Sequence, residues 1–261
     1  LAPVERKGVD LVFAIDVSQS MDAEDVKPNR LEKAKFEISQ MIRKLKGDRV
    51  ALVVFAGSSH LYLPLTTDYE AAQLFLDGID TKLIPTQGTD LSAAIQTGLS
   101  AFTEESEHYK VFVLVTDGED HEGTAINLAE TASSQGMIIH TVGVGTETGS
   151  LIPLVEKDGS REYKRDRQGI LVTSVLNESL LRDIARAGDG VFVRFDNRTA
   201  SHREIMRAID TMEKRTIQSH VYAEFEDRYQ TFAFLSFLFL GVSMILPTRK
   251  KEGSTWRGRI V

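Results

Sequence analysis

FAIDVSQSMD, residues 13–22, carries the chain straight out of an apolar run into one carboxylate and two evenly spaced hydroxyls. The run before it, from Val9 to Ile15, reads as a strand of a parallel sheet covered on both faces, because such strands are almost continuously apolar. At its carboxyl end Asp16, Ser18 and Ser20 offer only oxygen, at alternate positions. Hard divalent cations such as Mg²⁺ take oxygen ligands. A polar turn whose Asp and Ser side chains bond their own backbone has the same composition. The stretch alone leaves both readings open.

Working outward, strand and helix signals alternate over the first 200 residues. Asn29 and Glu32 sit at capping-box spacing, and Leu31, Ala34, Ile38, Ile42 and Leu45 then recur at helical intervals up to Gly47. Val50 to Phe55 is a second apolar strand, and His60 to Leu65 an edge strand because it contains Pro64. Helices are expected over Asp68–Asp80, Asp90–Glu104 and Thr124–Ser134, with strands at Tyr109–Thr116 and Met137–Val144. A helix at Glu178–Ala187, a strand at Gly190–Phe195 and an amphipathic helix from about Ser201 follow. This alternation predicts an α/β fold, a doubly wound and mostly parallel sheet. Residues 150–176 interrupt the rhythm with turn signals at Asp158-Gly159 and Gln168-Gly169, and read as a β-hairpin insertion on the flank, remote from any metal ligand.

Open α/β sheets bind ligands beyond the carboxyl ends of their strands. Three oxygen-rich loops are expected to meet there: Asp16-Val-Ser18-Gln-Ser20, Thr86-Gln-Gly-Thr89-Asp90 and Thr116-Asp117-Gly118-Glu119-Asp120. Glu119, Asp120, His121 and Glu122 read as a solvated acidic rim. His60, His108, His140, His202 and His220 are scattered, with His140 placed as a hydrogen-bonded histidine inside a strand. Asp68, Asp80 and Asp90 fit helix ends and turns. Gly143-Val-Gly145 lacks the third glycine of a dinucleotide loop.

The pattern DxSxS, a Thr in Gly-Thr-Asp and TDG resembles the metal-ion-dependent adhesion site of von Willebrand factor A domains, in that family's order across residues 8–200. The resemblance implies that Asp16, Ser18 and Ser20 face a divalent ion, Mg²⁺ or else Mn²⁺ or Ca²⁺, with Thr89 and Asp117 completing the site directly or through water. GVDLVFAIDVSQSMDAEDVKPNRLEKAK, DRQGILVTSVLNESLLRDIA and GDGVFVR are similar to the bacterial aerotolerance-type (BatA/BatB) membrane proteins. For such a protein the resemblance implies an ion that captures an acidic residue of a protein ligand, and a place in an envelope complex. Its partners there would be other membrane A-domain proteins and a MoxR-type AAA+ ATPase. A metal-dependent phosphohydrolase is the competing class. It needs a general base near the ion, and only His121 and Glu119 lie close in sequence.

Bulk composition narrows the partners. A net charge of −7 argues against nucleic acid, and the absence of cysteine removes disulfides and thiolate chemistry. Thr231 to Leu246, TFAFLSFLFLGVSMIL, carries no charge and is about 24 Å long as a helix; neighbouring residues bring it close to the roughly 30 Å of a bilayer core. Arg249, Lys250, Lys251, Arg257 and Arg259 follow it, against Glu252 alone. The positive-inside rule then places the C-terminus in the cytoplasm and the A domain on the periplasmic or external side of a bacterial inner membrane. The expected organisation is a juxtamembrane segment at 1–7, the A-like domain at 8–200 and a connecting helix at 201–229. A transmembrane helix at 230–248 and a basic tail at 249–261 complete it. The first residue is Leu1, with no signal peptide, so an upstream segment was removed or a longer protein precedes it.

Overall fold

The computed structural model describes residues 8–102, 108–120, 123–155, 161–196, 202–211 and 234–241. Two compact units divide the chain, Leu1–Glu213 and Lys214–Val261. The first is built on a six-stranded sheet. Its strands are β1 (Val9–Asp16), β2 (Arg49–Phe55), β3 (Ser59–Thr66), β4 (Tyr109–Thr116), β5 (Met137–Val144) and β10 (Asp189–Phe195). They lie in the order β10-β5-β4-β1-β2-β3, all parallel except the edge strand β3, which runs antiparallel to β2 and carries Pro64.

Side-chain alternation explains why helices cover both faces. Leu11, Phe13, Ile15, Val50, Leu52, Val111 and Val113 point to one layer, where they meet Leu31, Ala34, Ile38 and Met41 of α1 (Arg30–Ile42) and Leu76 of α2 (Tyr69–Asp77). Helix α6 (202–211) buries Ile205 and Ile209 in that same layer. The intervening Val12, Ala14, Val53, Phe112 and Leu114 face α3 (Leu91–Ala101), α4 (Ala125–Ser134) and Ile184 of α5 (Glu178–Ala187). β1 is buried along its whole length, as its mostly apolar sequence requires, and its one internal acid, Asp10, is paired with Arg49. The acids placed at helix ends do that work: Asp68 and Asp90 accept from the backbone N–H of Ala71 and Ala93 at 2.9 and 2.8 Å. Asn29 does the same for Glu32 at 2.7 Å.

The insertion after β5 is a stepped ribbon, not a single hairpin. β6 (Ser150–Leu151) pairs with β9 (Thr173–Ser174), and β7 (Pro153–Val155) with β8 (Arg161–Tyr163). It does not stay on the flank, as described below.

In the second unit, residues 234–241 are helical, with Phe234, Phe237, Phe239 and Leu240 exposed and Phe237 the most open at 82%. Among the described residues no helix is long and apolar enough to cross a membrane. The juxtamembrane segment, the connecting helix beyond residue 211, the rest of the proposed span and the basic tail lie outside the described residues.

Candidate metal centre

Strand order places the site. β1 continues to β2 on one side and β4 to β5 on the other, so the carboxyl ends of β1 and β4 flank the point where the winding reverses, the usual ligand crevice of an open α/β sheet. Asp16 ends β1, and Thr116 ends β4 with Asp117 next. Thr116 donates its hydroxyl to Asp16 Oδ2 at 2.6 Å and accepts the Gly118 N–H at 3.0 Å, so it ties the two loops together. Gly118 has φ +78°, and a Cβ there would lie 2.9 Å from the Asn177 carbonyl oxygen. The turn therefore needs glycine.

Asp16 Oδ1 accepts the Ser18 N–H at 2.8 Å, a local turn of the kind a purely polar loop would also make. That turn aims the hydroxyls together, since Ser18 Oγ and Ser20 Oγ lie 2.9 Å apart. The third loop is attached at both ends. Gln87 accepts the Gln19 N–H at 3.2 Å, and the Asp90 N–H bonds the Ala56 carbonyl at the end of β2 at 2.9 Å. Thr89 sits between those ties. The structure thus joins Asp16, Ser18, Ser20 and Asp117 through direct contacts and the Thr116 bridge. Among the described residues no hydrogen bond joins Thr89 to the other four, and only its loop is tied to theirs.

The site is more enclosed than an open surface crevice: Asp16 and Asp117 are 0% exposed, and Ser18, Ser20 and Thr89 only 4%. The loops close over the strand ends because side chains bind them to one another. Burial first, and then the Asp117 charge, push the Asp16 carboxyl up to about 7. Among the described residues no three acids or histidines gather as a metal site. The candidate donors are instead two carboxylates and three hydroxyls, all oxygen, which suits a hard divalent ion. A cation beside Asp16 would offset both its desolvation and its repulsion from Asp117. On these grounds the residues fit the ion.

Two contributors escaped the sequence reading. Arg30, the first residue of α1, is fully buried and donates to Asp117 Oδ2 at 2.8 Å. Ser174, in the last strand of the insertion, donates to the same oxygen at 3.2 Å. The insertion is therefore part of the site wall. It leaves and rejoins the sheet beyond the carboxyl end of β5, the immediate neighbour of β4, so its returning strand lands next to Asp117.

Glu119 is half-buried and not part of a fully solvated rim. Burial and the Asp117 charge raise its carboxyl, while Ser174 and the Val175 N–H hold it in the opposite sense. His121 and Glu122 lie outside the described residues. Among the described residues His140 is bonded only at Nδ1, which accepts the Val191 N–H at 3.1 Å, and its buried Nε2 has no partner there.

Residues 11–119 match the von Willebrand factor type A domain. The crystal structure of conserved hypothetical protein BatB from Bacteroides thetaiotaomicron is 40% identical and superposes with a TM-score of 0.76, covering 79% of this chain and 100% of that one. The chain belongs to the BatB-like family of von Willebrand factor A proteins. An aerotolerance-related membrane protein from Bacteroides fragilis NCTC 9343 is similar at 40% identity and a TM-score of 0.74, covering 78% of this chain and 100% of that one. A UPF0353 protein of Nocardia farcinica is 31% identical over 227 residues, 81% of this chain. The match spans 64% of that relative, less than two thirds of its length.

Proposed function

We propose that this BatB-like chain is a membrane-anchored module that captures a protein partner through a divalent ion held by Asp16, Ser18, Ser20, Thr89 and Asp117. Mg²⁺ is the ion assigned, and Mn²⁺ and Ca²⁺ suit the same oxygens. The observation that carries the reading is the donor set itself: two buried carboxylates and three hydroxyls on loops tied across the carboxyl ends of β1, β2 and β4. When bound, the ion supplies an electrophilic position that an acidic side chain of the partner can complete. The residues of this chain orient the oxygens and exclude water around them.

The apolar faces exposed on helix 234–241, the uncharged stretch around it and the basic tail support an anchor at 230–248 with the C-terminus cytoplasmic. The membrane-protein relatives support it as well. Family membership supports a place in an inner-membrane complex with other membrane A-domain proteins and a MoxR-type ATPase, linked to aerotolerance.

The test uses the full chain in detergent. Mg²⁺ titration calorimetry should show one site in the wild type and none in Asp16→Ala. Cross-linking in intact membranes should give partner adducts that EDTA and Asp16→Ala both abolish. Adducts that persist in EDTA would refute the ion's role, and Mg²⁺-dependent phosphoester hydrolysis would move the chain to the enzyme class. Carbonate extraction should leave the protein in the membrane, and release would refute the anchor.

A further inference from the structure

Arg30 is the bulkiest fully buried side chain among the described residues, and all five of its N–H donors are engaged. Nε and Nη2 grip Asp25 Oδ1 and Oδ2, each at 2.9 Å. Nη1 reaches Asp117 Oδ2 at 2.8 Å and Ser174 Oγ at 2.6 Å, and Nη2 reaches the Ser174 carbonyl at 3.1 Å. Asp25 in turn accepts the Thr146 N–H and hydroxyl, both at 2.8 Å. One rigid, planar cation thus joins the loop before α1, the end of β4, the loop after β5 and the returning strand of the insertion. The space is shaped for it, since a Cβ at Gly145 would lie 2.8 Å from Arg30 Nε.

Arg30 and Ser174 occupy the same oxygen of Asp117. Among the described residues Oδ1 accepts only the Glu119 N–H, at 3.3 Å, which leaves it as the oxygen available to an ion. Building on the metal reading above, we infer that Arg30 is a resident counter-cation that restricts Asp117 to a single oxygen toward the ion, and that Ser174 makes the insertion a sensor of whether the ion is bound. A buried positive charge beside a ligand carboxylate weakens the hold on a divalent ion, because the two cations repel through low-dielectric surroundings. The ion so held keeps more of its own charge for an incoming anionic group. Removing Arg30 should therefore destabilise the fold and tighten metal binding at the same time. Removing a residue that only stabilised the fold would loosen the site as it loosened the protein.

The probe is Mn²⁺ alone, titrated into the full chain in detergent and followed by its electron paramagnetic resonance signal. Arg30→Met combined with Asp25→Asn keeps the local charge sum constant and should bind Mn²⁺ roughly tenfold tighter or more than the wild type. Arg30→Lys, which keeps the charge but not the fork, should fall between them. Ser174→Ala removes one hydroxyl, leaves one Arg30 N–H unmatched at a cost smaller than losing the guanidinium, and should tighten binding about threefold. Hydrogen exchange supplies a second readout: Mn²⁺ should slow exchange at residues 173–174 in the wild type and lose that effect in Ser174→Ala. Should the double variant fail to fold, Ser174→Ala and the exchange measurement decide. If the wild type binds Mn²⁺ and the variants bind no tighter, or exchange at residues 173–174 ignores the ion, the inference on Arg30 and Ser174 falls while the metal site stands. If no protein binds Mn²⁺, the metal reading itself fails and takes the inference with it.

Discussion

Asp16 is a buried carboxylate beside a second one, Asp117, so its protonation couples the proposed metal site to the stability of the domain. Burial and the Asp117 charge raise its carboxyl from 3.8 to about 7. A folded state with a raised acid pKa holds an extra proton between those two values. Stability therefore falls as pH rises through that window, and the full penalty applies above about 7. At about 1.4 kcal/mol per unit the penalty reaches roughly 4 kcal/mol. Asp16→Asn removes the charge while keeping the shape. Its amide oxygen can still accept the Ser18 N–H. Its NH₂ then faces the Thr116 hydroxyl, which must turn because it already accepts from Gly118. That rearrangement costs about 1 kcal/mol.

The expected result, in EDTA and followed by circular dichroism, is an Asp16→Asn protein about 3 kcal/mol more stable than the wild type at pH 8 and about 1 kcal/mol less stable at pH 4. Tryptophan fluorescence would not serve, because the single Trp256 lies in the C-terminal tail. Taking the difference between the two proteins cancels every other titrating group. Saturating Mg²⁺ should stabilise the wild type and leave the variant unmoved, since a ligand that binds only the folded state adds stability by mass action. A variant less stable than the wild type at pH 8, or a difference that does not change with pH, would refute the claim that Asp16 is desolvated beside a second charge.

Gly57→Ala should cost about 1–3 kcal/mol and weaken Mg²⁺ binding in calorimetry, because a Cβ there would lie 2.7 Å from the Gln87 carbonyl oxygen and would push the loop carrying Thr89. Asn29→Ala removes the α1 cap and should lower stability by about 1 kcal/mol in urea titrations. Burial holds His140 neutral, with its pKa lowered from 6.5 to about 4. The unfolded chain therefore binds a proton first as the pH falls below 6.5, and stability is lost between those values by roughly 3 kcal/mol. His140→Gln should flatten that part of the pH–stability profile, and an unchanged acid limb would count against the burial argument.

The sequence showed its local physics and concealed its long-range contacts. Near-continuous apolar runs in Val9–Ile15 and Val50–Phe55 announced a sheet covered on both faces, and the helices of the two layers take up their alternate residues. The caps at Asn29, Asp68 and Asp90 were readable because a cap and its partner stand three residues apart. The family resemblance likewise rested on side chains at strand ends, where α/β topology concentrates ligand loops. What depended on closure was hidden. The depth at which Asp16 sits arises from Thr116, a hundred residues away, and no local pattern records that.

Arg30 makes the same point more sharply. In sequence it is an ordinary basic residue at the start of an amphipathic helix, where a charge usually reaches solvent. Its partners Asp117 and Ser174 stand 87 and 144 residues further on. Enclosing a guanidinium is tolerable only when nearly every donor is matched and the charge is balanced. That condition binds four segments of the chain at once, and it can be met only after β4, β5 and the insertion have assembled. The insertion was misplaced for the same reason. Its turn signals revealed a ribbon, but not that the ribbon's return would supply the hydroxyl and carbonyl that Arg30 requires. A charged side chain at the head of an amphipathic helix, and a serine in the returning strand of an insertion that starts at a strand's carboxyl end, are jointly a signal. Each alone is common, and their meeting at the oxygen of a proposed ligand is what the fold adds.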